Sequence, residues 1–215
     1  MLTVYGRRSA FNVQKVLWLV GELGLEHRHI EKGGSHGGLD DPEFRRMNPH
    51  GKVPVILHDG AAIWESHTIL RYLGATFGAP DYWPAKPAER ARIEQWMDWG
   101  QTVLQPDFLN GVFWNGFRVP EEKQDKAAVR AKIQRCAAHM TLLEREIGDR
   151  FFLLGDKLTL ADIVIGTHLY RYFEMDIERP SVPGIEAMYA RLTARPAYRA
   201  AVMLSFEDMR GRVEY

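Results

Sequence analysis

The chain has 215 residues, with 28 Lys and Arg against 28 Asp and Glu, and no formal net charge at neutral pH. That balance argues against a general nucleic-acid binder, which usually carries a basic excess, and no apolar run approaches the roughly 20 residues of a membrane helix. Cys136 is the one cysteine, so an intramolecular disulfide is excluded and a reducing compartment, the cytoplasm, is expected; the first residues show no secretory-signal pattern.

Leu2 to Tyr5 reads as a short strand and Gly6 to Ser9 as a loop. From Asn12 onward, Val13, Val16, Leu17, Val20 and Leu23 recur at helical spacing, with Gly24 as the stop. His27 to Ile30 reads as a second strand, which makes a βαβ unit with a parallel strand pair. His27 and His29 have no carboxylate or cysteine at ligand spacing, so they read as surface strand residues and no metal site is expected. Lys32 to Leu39 holds four glycines and reads as a mobile loop. Pro42 can start a short helix that runs to Met47.

The stretch from Asn48 to Tyr72 is the most informative. Val53-Pro54 sits where a loop enters a strand. Asp59-Gly60 lies between two short apolar runs, a strong hairpin signal. Glu65-Ser66 then opens a helix with Ile69, Leu70 and Leu73 on one face, and Ser66 suits the N-cap. The N–H groups at such a helix start attract a carboxylate or phosphate. The block therefore offers an anion seat beside a Pro-bearing edge open to a peptide backbone.

Residues 78–88 hold three prolines and no periodicity, and read as a linker between a domain 1–77 and a domain 89–215. Beyond it the pattern is all helix. Glu89 to Leu104 has helical spacing, and Pro106 to Phe117 is aromatic and glycine-bearing. Pro120 to Ile147 reads as one long helix with Val129, Ile133, Cys136, Met140, Leu143 and Ile147 on one face. Cys136 on that face reads as a small buried hydrophobe. Thr159 and Asp162 make a capping-box start, with Asp in place of Glu. Pro183 to Ala194 and Pro196 to Ser205 read as two more helices. The expected fold is an α/β N-domain (βαβ-ββα) followed by an all-α helical C-domain.

In order and spacing, four motifs resemble the cytosolic glutathione S-transferase family, bacterial serine-type or theta-like members in particular. They are Asn48 to Pro54 (NPHGKVP), Trp64 to Leu73 (WESHTILRYL), Ser9 to Trp18 (SAFNVQKVLW) and Thr159 to Ile163 (TLADI). The resemblance covers essentially the whole chain and implies a thioredoxin-like N-domain. It also implies a transferase that stabilises the glutathione thiolate for attack on an apolar electrophile. Glutathione would be a co-substrate, with no tightly bound cofactor, and the protein would be a homodimer without nucleic-acid or membrane partners.

The resemblance also implies roles. Ser66 would seat the γ-glutamyl carboxylate and Glu65 would orient that group. Val53, before a cis Pro54, would offer its backbone to the cysteinyl residue. Lys52, or less directly His50, would meet the glycyl carboxylate. A donor near the first helix must stabilise the thiolate: Ser9 is the first choice, Asn12 the second and Tyr5 the third. Each also has a structural alternative, helix capping for Ser9 and Asn12 and strand packing for Tyr5. Phe11, Phe108, Phe113, Trp114 and Phe117 could wall the second-substrate pocket, or be core aromatics. Arg7 could touch the second substrate. In a dimer, Asp98 or Gln101 could reach the partner's γ-glutamyl ammonium. Residues 1–135 contain no cysteine, so a C-x-x-C dithiol role is out. Isomerase, peroxidase or disulfide-reductase chemistry on the same scaffold stays open, as does a non-catalytic regulatory protein of this fold.

Overall fold

A computed structural model describes residues 1–213. Its first unit spans 1–83 and takes in 196–204; its second spans 84–195 and takes in 205–213.

The first unit is built on a four-stranded sheet of order β2-β1-β3-β4. Strand β1 is Leu2–Tyr5 and β2 is His27–Ile30; β3 is Val55–His58 and β4 is Ala61–Trp64. β1 pairs parallel with β2 and antiparallel with β3, and β3 pairs antiparallel with β4. Helix α1, Phe11–Glu22, makes the βαβ crossover. It ends as Gly24 suggests: the Gly24 N–H donates to the Gly21 carbonyl and the Leu25 N–H to the Val20 carbonyl, a Schellman close. Helix α2 is Pro42–Met47, as read from the sequence. The β3–β4 turn has positive φ at both Asp59 (48°) and Gly60 (85°), the geometry that lets a two-residue hairpin match strand twist.

Helix α3, Ser66–Phe77, follows β4 after one residue. Here the structure corrects the expected cap. The N-cap is Glu65, at φ 66° and ψ 117°, and Ser66 is already the first helical residue. Only a sharp turn at one residue joins strand to helix there, and Glu65 makes it. The 32–39 segment expected to be a loop contains a 3₁₀ turn at Gly34–His36, and Lys32 is tied to Asp41 across it.

The second unit is helical. Helix α4, Pro87–Trp99, runs on into wider turns at Gly100–Leu104 and Pro106–Arg118, where backbone bonds span five residues. Helix α5 is Lys126–Ile147. The helix expected from Pro120 thus starts later, because Asp125 accepts from the Ala128 N–H and sets the cap there, while Glu121–Lys123 is a separate 3₁₀ turn. Helix α6 is Leu160–Glu174, with the capping box at Thr159 and Asp162 formed in both directions. Asp162 is fully buried and also accepts from the Leu153 N–H at 2.8 Å. Helix α7 is Pro183–Thr193. Helix α8, Pro196–Ala201, is shorter than expected and belongs to the first unit. Tyr198 packs edge-on to Trp18 of α1 at 4.7 Å, and the Gln14 amide donates to the Val202 carbonyl. Local spacing cannot report such a long-range pairing. Among the described residues, no helix is long and apolar enough to cross a membrane.

Candidate functional site

Three segments converge at one end of the sheet. The β1–β3 register pairs Tyr5 with Val55, and the β3–β4 register pairs Val55 with Trp64. Continued by one or two residues, these ladders bring the loop after β1, the Val53-Pro54 step and the Glu65-Ser66 helix start side by side. Gly6 makes the closest approach. A Cβ built on it would lie 3.0 Å from the Val53 Cβ and 2.5 Å from a Val13 methyl, so only glycine fits between α1 and Val53.

The Val53-Pro54 bond is cis. Among the described residues, the N–H and C=O of Val53 enter no backbone hydrogen bond, although the residue is only half-buried. The preceding loop is shaped by Asn48, which is buried: its Oδ1 accepts from the His50 N–H at 3.0 Å and its Nδ2 donates to the Lys52 carbonyl at 2.8 Å. Lys52 and His50 are exposed, and the His50 ring stands edge-on to Trp64 at 5.3 Å. Arg45 adds a hydrogen bond to the Pro49 carbonyl at 2.8 Å. Asn48 and Arg45 were not singled out from the sequence; Asn48 heads the NPHGKVP motif, and that position was the available signal.

At the start of α3, Ser66 is buried and Glu65 is exposed. Behind them lies a pair the sequence reading missed. Lys15 of α1 is fully buried, its Nζ 3.2 Å from the His67 Nε2 and 4.9 Å from the centre of the Phe11 ring. Burial pulls the Lys15 ammonium down to about 7, against the attraction of Glu65, which raises it.

The thiolate candidates sit around the N-terminus of α1. Ala10 is its N-cap, so neither Ser9 nor Asn12 fills that position. Ser9 is half-buried just before the cap. Asn12 is in the first turn, and its Oδ1 is buried with no hydrogen-bond partner among the described residues. Tyr5 turns its ring against Phe44 of α2 at 6.3 Å.

The rings expected at a second-substrate pocket are mostly interior. Phe108 packs against Tyr172 and His168. Phe113 and Phe117 stack at 5.3 Å, both edge-on to Phe206. Phe11 is buried beneath the Lys15 ammonium. Trp114 alone of the five is exposed, with the Arg118 guanidinium 3.8 Å from its ring centre. Asp98 and Gln101 are exposed. Cys136 is fully buried, and burial, with Asp107 nearby, pushes its thiol up to about 12, so it is no nucleophile.

A mixed sheet with a cis proline at one end, beside a helix start and followed by a helical unit, defines a thioredoxin-like domain joined to an all-helical one. Comparison with known proteins narrows the class. Residues 1–75 match the family model of the glutathione S-transferase N-terminal domain, and residues 126–200 that of the C-terminal domain. The glutathione S-transferase GstB of Escherichia coli is 36% identical over 206 residues, covering 95% of this chain and 99% of its own. A theta class glutathione S-transferase from Xanthomonas axonopodis pv. citri, solved with glutathione bound, is 39% identical with a TM-score of 0.88 over 95% of this chain and 98% of its own. A delta-class enzyme from Nilaparvata lugens, 22% identical at a TM-score of 0.85, shares the fold. The chain belongs to the glutathione S-transferase family.

Proposed function

We propose that this chain, a glutathione transferase by family, holds glutathione along the Val53 edge and ionises its thiol at the N-terminus of α1. The tripeptide is extended, with one end at Ser66 and Glu65, the middle on the Val53 backbone, and the glycyl carboxylate near Lys52 and His50. The free Val53 N–H and C=O support this reading, since an unpaired edge recruits a peptide backbone.

Asn12 is the better candidate for the thiolate donor than Ser9 or Tyr5. The observation that carries it is the buried, unpartnered Asn12 amide oxygen. Amide oxygen and nitrogen can exchange places by a flip of the side chain. The flipped amide offers an N–H to a thiolate in the first turn of a helix, where the macrodipole adds to it. The thiolate attacks an apolar electrophile. A reducing, cytoplasmic setting suits both the free thiol of the co-substrate and the lone Cys136.

The test is turnover of an activated aryl halide. Asn12→Ala is expected to lower kcat about 10²-fold, the usual cost of losing one donor to a developing or resident anion, with Ser9→Ala nearer to the wild type. Full activity in Asn12→Ala together with loss in Ser9→Ala transfers the role to Ser9; full activity in both transfers it to Tyr5. We also propose a homodimer in which Asp98 or Gln101 meets the partner's γ-glutamyl ammonium. A monomer in sedimentation velocity, or unchanged glutathione affinity in Asp98→Ala and Gln101→Ala, would remove that part.

A further inference from the structure

The loop that leads into the thiolate donors at Ser9 and the α1 start is gripped from one side by the end of β2 and the two residues after it. The Gly6 N–H donates to the Ile30 carbonyl at 2.9 Å, and the Arg7 N–H to the Lys32 carbonyl at 2.9 Å. These two bonds extend the parallel ladder. Two side chains then add contacts that a ladder does not supply. His29 Nε2 lies 2.7 Å from the Gly6 carbonyl oxygen. A carbonyl only accepts, so that nitrogen carries the hydrogen. The other ring nitrogen, Nδ1, faces the Glu31 carboxylate at 3.7 Å. The second oxygen of Glu31 accepts from the Arg8 N–H at 3.2 Å.

His29 and Glu31 therefore clamp both ends of the Gly6–Arg8 step. The clamped carbonyl belongs to the residue wedged between Val13 and Val53. Its displacement would shift the loop against the peptide-binding edge and the α1 start together. The His29 side chain is only 10% exposed, unlike the surface strand residue read from the sequence. The Gly6 carbonyl thus fixes the hydrogen on Nε2 and aims it, while Glu31, too far from Nδ1 to accept from it, acts on the loop through the Arg8 N–H.

We infer that His29 and Glu31 are positioning residues for the glutathione thiolate: together they hold the Gly6–Arg8 backbone so that Ser9 and Asn12 face the sulfur. The inference rests on the proposed function, since it needs a thiolate to be stabilised in this loop. Anion stabilisation depends on donor placement to a few tenths of an ångström. A loosened loop thus costs ionisation before it costs affinity, because the carboxylate seats at Ser66 and Lys52 are built on other segments.

The experiment measures the pKa of the thiol of bound glutathione by its thiolate absorbance in the ultraviolet, with glutathione affinity from calorimetry. His29→Phe removes the donated hydrogen and Glu31→Ala removes the Arg8 anchor. Both are expected to leave about tenfold less thiolate at neutral pH while changing glutathione affinity less than about threefold. His29→Gln, which can still donate to the Gly6 carbonyl, is expected to recover most of the thiolate. Should His29→Phe fail to fold, Glu31→Ala and His29→Gln carry the comparison, each checked by its unfolding transition. Wild-type thiolate levels in Glu31→Ala and His29→Phe would overturn the inference while leaving the function standing. Loss of affinity and thiolate in parallel, unrescued by glutamine, would also overturn it, since that is the mark of a merely structural role. A wild type that neither binds nor ionises glutathione would remove the function itself, and the clamp's purpose with it.

Discussion

A lysine ammonium without solvent contact must be stabilised from inside the protein or give up its proton. Lys15 has His67 at its Nζ, the Phe11 ring beside it and the attraction of the Glu65 carboxylate. Burial wins over the attraction of Glu65 and pulls the group from the ordinary lysine value of 10.5 down to about 7. The unfolded chain holds that proton up to pH 10.5, so between about pH 7 and 10 the unfolded state binds more protons. Stability contributed by this site therefore rises with pH in that window, by at most about 1.4 kcal/mol per pH unit. Denaturant titrations of the wild type and Lys15→Met at pH 7 and pH 9 are expected to show the wild type gaining relative to the variant as pH rises. A constant difference between them would contradict the assignment. Residue by residue, the sequence offered as candidates the polar groups with local signatures: Val53-Pro54, Glu65-Ser66, and Ser9 ahead of Asn12. It did not disclose Lys15, because helical periodicity marks one apolar face and this helix is buried almost all round. Nor did it disclose His29, whose partner is a backbone carbonyl two strands' turn away in the chain and carries no sequence signal.

The elements that were legible are those whose ends are chemically marked. The Asp59-Gly60 hairpin, the Gly24 stop, Pro42 at the start of α2 and the Thr159-Asp162 capping box all fall where their residue types require. Misplaced starts came from competing signals nearby. Asp125 outranks Pro120 as the cap of α5, and Glu65 takes the cap from Ser66. The allegiance of α8 was hidden for a different reason: a short amphipathic helix shows which face is apolar, not which distant face will meet it. The tie between α5 and the segment before it is also non-local. Asp107, buried, receives Lys132 at 2.6 Å, His139 at 2.8 Å and Arg135 at 3.0 Å. Burial alone would raise its carboxyl, but the Lys132 and His139 hydrogen bonds and the neighbouring cations hold it below the usual range. A depressed carboxyl contributes stability above its unfolded pKa and loses it as pH falls toward the folded one. Asp107→Asn is expected to be destabilised by about 1.5 kcal/mol at neutral pH, since it weakens the charge-assisted hydrogen bond from Lys132 and the contact with the more exposed Arg135. The gap to the wild type should narrow below about pH 4. A gap that stays constant from pH 7 to pH 3 in denaturant titrations would contradict this account of the cluster.

At the scale of the whole molecule, the chain divides its labour between a unit with a mixed sheet and a helical unit. The boundary in the described structure falls between Trp83 and Pro84, within the proline-bearing stretch read as a linker. Fold class was readable because strand-spaced and helix-spaced patterns occupy separate halves of the chain. The parts proposed to hold glutathione were legible as candidates because they cluster between Asn48 and Ser66. The second-substrate half was not: aromatic residues mark cores and pockets alike, and Phe108, Phe113 and Phe117 proved interior. The central claim is therefore about the first unit, that it binds glutathione and makes its thiol acidic. The most direct measurement is a spectroscopic pH titration of the wild-type protein saturated with glutathione, following thiolate absorbance. Free thiol titrates near 8.5, and donation at the α1 start is expected to bring the bound thiol about two units lower, which takes roughly 2.7 kcal/mol of preference for the anion. A bound thiol titrating near 8.5, or no binding at millimolar glutathione, would contradict the account.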